Sequence, residues 1–301
     1  MQTILAAVDV SRASQLAFKQ ALVLATSMRA GLTAVAVTPR YEGNMNRLTL
    51  KNTNNEMSRP FLKCLADAAE YAASLGLKID TVHRVGQPAD EIVQVAQEVQ
   101  ARSILLGSPS RSYVGRALLG RTIAKVIAGS PCEVLLVPEQ AEIRFGRIMV
   151  GANGSAASIA AGDRAMEIVR DYGGQLHGVT MIDLPVERSL RYGVMNAAWQ
   201  RGVNVQEELK NRAAAAGLTI VTALREKSPA TGLLQYAVEK DMHLIVLGSG
   251  GHSWRNDFFL DSVVEQVASG ALCPVLVVHG ENQGKRDVSD GATGGKADAL
   301  V

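Results

Sequence analysis

ILLGSPSRSYVGRALLGRT, residues Ile104 to Thr122, and LIVLGSGGHSWRNDFFLDS, residues Leu244 to Ser262, are two versions of one pattern. Each is a short aliphatic run that ends in a small-residue turn, followed nine residues later by a second turn element. The first reads Gly107-Ser108-Pro109-Ser110 and then Gly120-Arg121-Thr122; the second reads Gly248-Ser249-Gly250-Gly251 and then Asp261-Ser262. The flanking sequence repeats as well. ILAAVDVSRAS (Ile4 to Ser14) is answered by IMVGANGSAAS (Ile148 to Ser158), and SPCEVLLVP (Ser130 to Pro138) by ALCPVLVVH (Ala271 to His279). The copies lie 141 to 144 residues apart. A period that long is a duplicated domain, not a solenoid unit.

Within each copy, short aliphatic runs alternate with longer amphipathic ones, the βαβ pattern of a parallel sheet. In copy one the strands are expected at Thr3–Val8, Leu32–Thr38, Leu77–Val85, Ser103–Gly107 and Glu133–Val137. Helices are expected between them at Ser14–Ala30, Arg59–Leu75, Pro88–Gln100 and Thr122–Ala128. Copy two gives strands at Arg147–Gly151, Gln175–Met181, Leu218–Leu224, His243–Gly248 and Val275–His279. Its helices fall at Ser155–Tyr172, Val194–Ala216, Ala230–Lys240 and Ser262–Gly270. Ser11 or Ser14 is suited to cap the first helix, with Gly31 and Gly76 as stops for the first two and Pro88 in the opening turn of the third. Polar inserts occupy Pro39–Ser58 and Asp183–Gly193. The domains are read as 1–140 and 146–280, and the polar tail 281–301 has little to bury and is expected to be disordered.

The repeated turn carries the chemistry. A glycine just past a buried strand lets the chain turn and admits a ligand without a Cβ in the way. The element that follows opens a helix, whose free N–H groups and positive dipole end suit phosphate oxygens. The crevice beyond strand C-termini is where open α/β sheets bind ligands. The same residues also serve as ordinary loop and cap positions, and residue type alone leaves both readings open.

On these motifs both halves resemble the universal stress protein family, over about 1–140 and 146–280. Nucleotide-binding members of that family carry G-x2-G-x9-G-(S/T), an acid at the end of the first strand, and an ending close to CPVLVV. Copy one matches at Asp9, Gly107, Gly120 and the run ending in Val137. It departs at Ser110, which replaces the second glycine, and at Arg121, which displaces the Ser/Thr to Thr122. Copy two matches at Gly248, Gly251, Ser262 and Cys273–Val278, with Asn153 in place of the acid and Asp261 in place of the seat glycine. The resemblance implies two Rossmann-like domains of the adenine nucleotide alpha hydrolase-like kind, each a five-stranded parallel sheet flanked by helices. It further implies ATP, with Mg²⁺ as its candidate companion, held by Asp9, Val37, Gly107, Ser110, Gly120, Arg121 and Thr122. Copy two reads as a degenerate site, since the Asp261 carboxylate occupies the anion seat and can cap the helix. The aliphatic fifth strands, VLLV and VLVV, would leave an exposed sheet edge unless covered. In this family they pair across a twofold axis, so here they are expected to pair internally as a pseudo-dimer, with a further homodimer left open.

Composition narrows the function classes. The formal net charge is +2 in 301 residues, which does not favour nucleic acid or an anionic membrane surface as a general partner. No run is long enough to span a bilayer, and the first run holds Asp9 and has no basic lead-in, so it reads as a strand and not a signal peptide. The three cysteines follow no metal or redox spacing, consistent with reduced thiols and a cytoplasmic location. The five histidines form no ligand motif, and neither a nucleophile elbow nor a P-loop lysine is present. The expected activity is therefore nucleotide binding and regulation in a stress response, with slow hydrolysis at most. A nucleotide-independent scaffold for an unknown protein partner is the alternative. An ATP pyrophosphatase is the third class, and its serine-rich loop is only faintly echoed by VDVSRAS.

Overall fold

The computed structural model describes residues 2–40, 53–109, 119–183, 194–249 and 262–280. In the first half the elements are β1 (Thr3–Ala7), α1 (Arg12–Met28), β2 (Gly31–Pro39), α2 (Thr53–Ser74), β3 (Asp80–Gly86), α3 (Pro88–Glu98), β4 (Ala101–Ser108), α4 (Arg121–Gly129) and β5 (Glu133–Pro138). The second half repeats the order with β6 (Arg147–Gly151), α5 (Ala156–Tyr172), β7 (Gln175–Ile182), α6 (Val194–Ala215), β8 (Ile220–Glu226), α7 (Pro229–Glu239), β9 (Leu244–Ser249), α8 (Ser262–Gly270) and β10 (Val275–His279).

The strands form one ten-stranded sheet in the order β3-β2-β1-β4-β5-β10-β9-β6-β7-β8. Each half is a parallel five-stranded unit, and the halves join where β5 and β10 pair antiparallel, Val275 opposite Leu136 and Val277 opposite Val134. The internal pairing of the fifth strands is thus borne out, and it removes the apolar edge that VLLV and VLVV would otherwise expose. Both faces of the sheet are covered, which is why the central strands are aliphatic throughout. Ile4, Ala6 and Val8 pack with Ala17, Phe18 and Leu65 of α1 and α2, in a core that runs on into Ile148, Val150 and Ala161 of the second half. Leu5, Val35 and Val37 pack on the opposite face with Ile92 and Val126 of α3 and α4, in a core continuous with Met149, Leu233 and Val267.

Local chemistry sets the helix ends. Ser11 and Ser155 are the N-caps of α1 and α5, each side chain accepting from the N–H three residues on, in Ser14 and Ser158. Arg29, in the left-handed region at φ 51°, terminates α1 in place of the expected Gly31, which instead opens β2. The third strand begins at Asp80, not Leu77, because Gly76 (φ +74°) and the residues after it complete the α2 stop. The first insert is shorter than expected: Pro39 closes β2 and Thr53 already opens α2. What remains of both inserts, 41–52 and 184–193, and the tail 281–301 lie outside the described residues.

The joint after β5 is pinned. Ile143 N–H donates to Gln20 Oε1 at 2.9 Å, and Phe145 stacks on Tyr172 with centroids 4.4 Å apart. A buried fork also crosses the seam. Arg164 of α5 donates from Nε and Nη2 to the two Glu133 carboxylate oxygens of β5, at 2.7 and 3.0 Å, with both side chains 13% exposed. Burial works against the guanidinium charge, but Glu133 and Glu167 outweigh it and push the Arg164 pKa up. Among the described residues, no helix is long and apolar enough to cross a membrane.

Candidate functional site

Strand order 3-2-1-4-5 reverses direction between β1 and β4, and that switch point opens a crevice at the strand C-termini. Asp9 stands just past β1. Ala7 pairs with Val35 and Ala6 with Leu105, so the parallel register brings Asp9 level with Val37 and with the Gly107–Ser108 end of β4. The N-terminus of α4 at Gly120 completes the set.

Each residue has a definite place. Asp9 is exposed; its Oδ1 accepts from Ser11 N–H at 2.8 Å, and its own N–H donates to Ser14 Oγ at 3.0 Å. Asn153 makes the equivalent turn in the second half, with Oδ1 accepting from Ser155 N–H at 3.0 Å. An amide therefore suffices for the turn, and the negative charge of Asp9 exceeds what the fold requires. Val37 is buried on the α3 side of the sheet, so its main chain reaches the crevice edge while its side chain belongs to the core.

Gly107 is a correction. It lies inside β4, and a Cβ on it would meet Ala13 C and O at 2.4 Å and Ser14 N at 2.6 Å. Gly248 repeats this against Ala157 O at 2.1 Å and Ala157 C at 2.2 Å. The first turn of the neighbouring helix is what excludes a Cβ at these two positions. Gly120 differs. It is the N-cap of α4, no side chain caps that helix, and a Cβ on it would find only Ile123 Cδ1, at 4.0 Å. No atom of the described chain requires a glycine there, and no described side chain accepts from the leading N–H groups. Arg121 and Thr122 are exposed on that first turn, and Arg121 has no ion pair among the described residues. Arg12 of α1 reaches Glu139, just past β5, at 3.2 Å along the same edge. Ser110 lies outside the described residues, as do Gly251 and Asp261 of the second crevice.

Other polar groups that the sequence left scattered prove to be structural. His177 Nδ1 and the Tyr236 hydroxyl are 2.9 Å apart in the second core, where burial lowers the histidine pKa and raises that of the tyrosine. Burial pushes the Cys132 thiol up and that of Cys273 up to about 12, so neither is poised as a nucleophile. Among the described residues no three His, Cys, Asp or Glu side chains gather as a metal set. The Arg164–Glu133 fork and the histidine–tyrosine pair had no sequence signal, because each joins residues far apart in the chain.

Comparison with known proteins agrees with the fold. The model of the universal stress protein family matches residues 1–138 and 144–279. A universal stress protein of Methanocaldococcus jannaschii is 29% identical over 140 residues, 44% of this chain and 82% of its own length. Universal stress protein YxiE of Bacillus subtilis is 32% identical over 146 residues, 44% of this chain and 99% of its own. A solved universal stress protein from Archaeoglobus fulgidus follows the fold across both halves, with a TM-score of 0.72 over 93% of this chain and 98% of its own, at 20% identity.

Proposed function

The chain belongs to the universal stress protein family, and from that membership and its first crevice we propose that it binds an adenine nucleotide there and acts in the stress response by binding and regulation. The observation that carries the proposal is the helix start at Gly120, which no side chain among the described residues caps, set beside an acid whose turn an amide makes equally well in the second half. A phosphate accepts from the leading N–H groups of α4 and meets the positive end of its dipole. Arg121, exposed on that turn, is placed to add charge-assisted hydrogen bonds. The unused oxygen of Asp9 accepts from a ribose hydroxyl or a base amine at the other end of the ligand, with the main chain of Val37 alongside.

ATP is the nucleotide this reading favours. Mg²⁺ carried in with it neutralises phosphate charge and rests on phosphate oxygens and water, as is usual for that ion. The second crevice, with Asn153 for the acid, serves as scaffold. Turnover is slow in this reading, because among the described residues the crevice offers donors to hold a phosphate but no group placed to activate water.

Isothermal titration of ATP into the wild type and Asp9→Asn tests the proposal. Asn preserves the turn, as Asn153 does, so only the charge changes. The wild type should bind, and Asp9→Asn should weaken binding about tenfold to a hundredfold, the range for a hydrogen bond to a charged group. No heat from the wild type, with no nucleotide released on denaturing the purified protein, refutes the reading and leaves the nucleotide-independent scaffold.

A further inference from the structure

The last side chain of β10 reaches out of its own half. Alternation along the strand puts Val275, Val277 and His279 on one face of the sheet, and the first two pack in one core with Val126 and Ile127 of α4. The antiparallel register, Val275 opposite Leu136 and Val277 opposite Val134, carries His279 to the level of Cys132, just past the end of α4. There its Nε2 lies 2.8 Å from the carbonyl oxygen of Ile127. A carbonyl can only accept, so Nε2–H is the donor. Burial holds the pKa of the ring down, with the Ile127 and Cys132 carbonyls acting the other way, so near pH 7 the ring is a neutral donor.

Ile127 needs that donor. Its carbonyl belongs to the last turn of α4, and the residue that would return a helical bond to it, four positions on, is Pro131, which has no N–H. Ile127 is fully buried, so bulk solvent cannot take the missing place. The second half is built the other way round. Matching SPCEVLLVP with ALCPVLVVH sets Leu272, which has an N–H, against Pro131, and Pro138, which has no donor, against His279. The bond therefore runs in one direction. The second half holds the end of α4, and the first half has no donor to offer α8 from the matching position. Helix α4 has only nine residues, and no described side chain caps its start. The Ile127 carbonyl lies about 10 Å along the helix axis from Gly120, at 1.5 Å per residue.

We propose, building on the nucleotide reading of the first crevice, that His279 is a positioning residue for it: from the second half, through α4, it fixes the amides at Gly120–Thr122 that receive phosphate. The route is short. Helix α4 is a rod of about two and a half turns, so a bond at its last turn restrains the tilt of its first. Phosphate oxygens need the leading N–H groups held in direction, because a hydrogen bond weakens steeply with misalignment. The other end of the crevice is set independently. Asp9 and Val37 are placed by the pairing of β1 with β2, which α4 does not enter. The second half therefore acts on the phosphates and leaves the nucleoside end alone.

The test compares full-length wild type with His279→Leu, which keeps bulk but loses the donor, and His279→Gln, which keeps an N–H donor. ATP and adenosine are titrated into each by calorimetry well below Tm, and amide hydrogen exchange of α4 is followed without ligand. His279→Leu should weaken ATP about threefold to tenfold, the worth of one hydrogen bond, and leave adenosine unchanged. His279→Gln should bind ATP as the wild type does. Exchange of the α4 amides should quicken by a similar factor in His279→Leu and stay at the wild-type rate in His279→Gln. A general loss of stability would weaken both ligands alike and would not be rescued by the amide. Equal losses for ATP and adenosine, an ATP affinity in His279→Leu within about twofold of wild type, or no recovery in His279→Gln would overturn the proposal while the nucleotide reading stands. Unchanged α4 exchange in His279→Leu would overturn it whether or not ATP binds. A wild type that binds neither ligand refutes the nucleotide reading, and the role of His279 falls with it.

Discussion

Replacing Gly107 by alanine separates the two roles a glycine can have at the end of this strand. The new Cβ would lie 2.4 Å from the Ala13 carbonyl group, and in Gly248→Ala it would lie 2.1 Å from Ala157 O. Carbon contacts settle near 3.5 Å, so the first turn of α1 or α5 has to retreat by about 1 Å. The obstacle is backbone, which cannot rotate aside as a side chain tip would. The retreat also disturbs Ala17, Ala21 and Leu22, which α1 buries against the sheet. Overpacking of this kind costs about 1–3 kcal/mol, and the backbone obstacle places these two at the upper end. A loss of about 3 kcal/mol lowers Tm by roughly 6–12 °C in a chain of this size. Gly120→Ala is the counterpart, since its Cβ enters open space; losing a favourable N-cap residue costs at most about 1 kcal/mol. Thermal unfolding and ATP calorimetry on all three variants should therefore dissociate. Gly107→Ala and Gly248→Ala should lose stability alike, with ATP affinity retained well below Tm, whereas Gly120→Ala should stay stable and bind ATP more weakly. Loss of ATP binding in Gly107→Ala with Tm moved by less than about 2 °C would refute the packing role.

Three further outcomes follow from the geometry. Arg164→Ala leaves the largely buried Glu133 carboxylate without its partner and should cost about 3 kcal/mol in urea unfolding, Glu133→Ala somewhat less because Arg164 keeps Glu167, whereas the double change to Met and Leu should recover much of that; an Arg164→Ala loss within about 0.5 kcal/mol would show the fork to be idle. Gly120→Asp copies the Asp261 of the second half into the first. A carboxylate about 4 Å from phosphate costs about 4 kcal/mol at an effective dielectric near 20, and solvent at this exposed turn reduces it, so calorimetry should read a loss of ATP affinity between tenfold and a thousandfold. His177 is kept neutral by burial, so its folded pKa lies below the unfolded value near 6.5. The unfolded chain then takes up the proton first, and stability present above pH 6.5 is lost as pH falls through that window. His177→Gln, which can still bond Tyr236, should flatten that slope between pH 7 and 5 in unfolding experiments, and an unchanged slope would assign it to other groups.

The order of strands and helices was legible because each aliphatic run sits in a sheet covered on both faces, and each amphipathic run presents one stripe to it. The Ser11 cap was legible for the same local reason, since a cap is decided within four residues. Where the outcome depended on distant chain, the letters misled. Gly107 reads as a ligand glycine until α1, some ninety residues earlier, is seen pressed against it. Gly31 reads as a helix stop, yet Arg29 takes the left-handed position two residues earlier, and Gly31 already pairs with Thr3 at the start of β2. Glu133 and Arg164 carry no mutual signal, since only the antiparallel seam brings α5 over the start of β5.

A comparison of the two halves bears on why two related domains occupy one chain. A homodimer built on the β5–β10 seam would hold identical residues at both ends of its axis, and any change would act twice. Here the axis is broken: Arg164 grips Glu133, while Gln20, at the position matching Arg164, holds the joint at Ile143 instead. Once the seam distinguishes its two sides, a substitution is confined to one half. The second half could then place Arg212 between Glu208 and Asp163 and exchange the strand-end acid for Asn153 without touching the first. The first half keeps the strand-end acid Asp9 and the glycine N-cap of α4 at Gly120, which no described side chain caps. In the proposed reading the asymmetry follows from the covalent tandem itself: a joined pair keeps the same partner, so one copy can hold the nucleotide crevice while the other serves as its support.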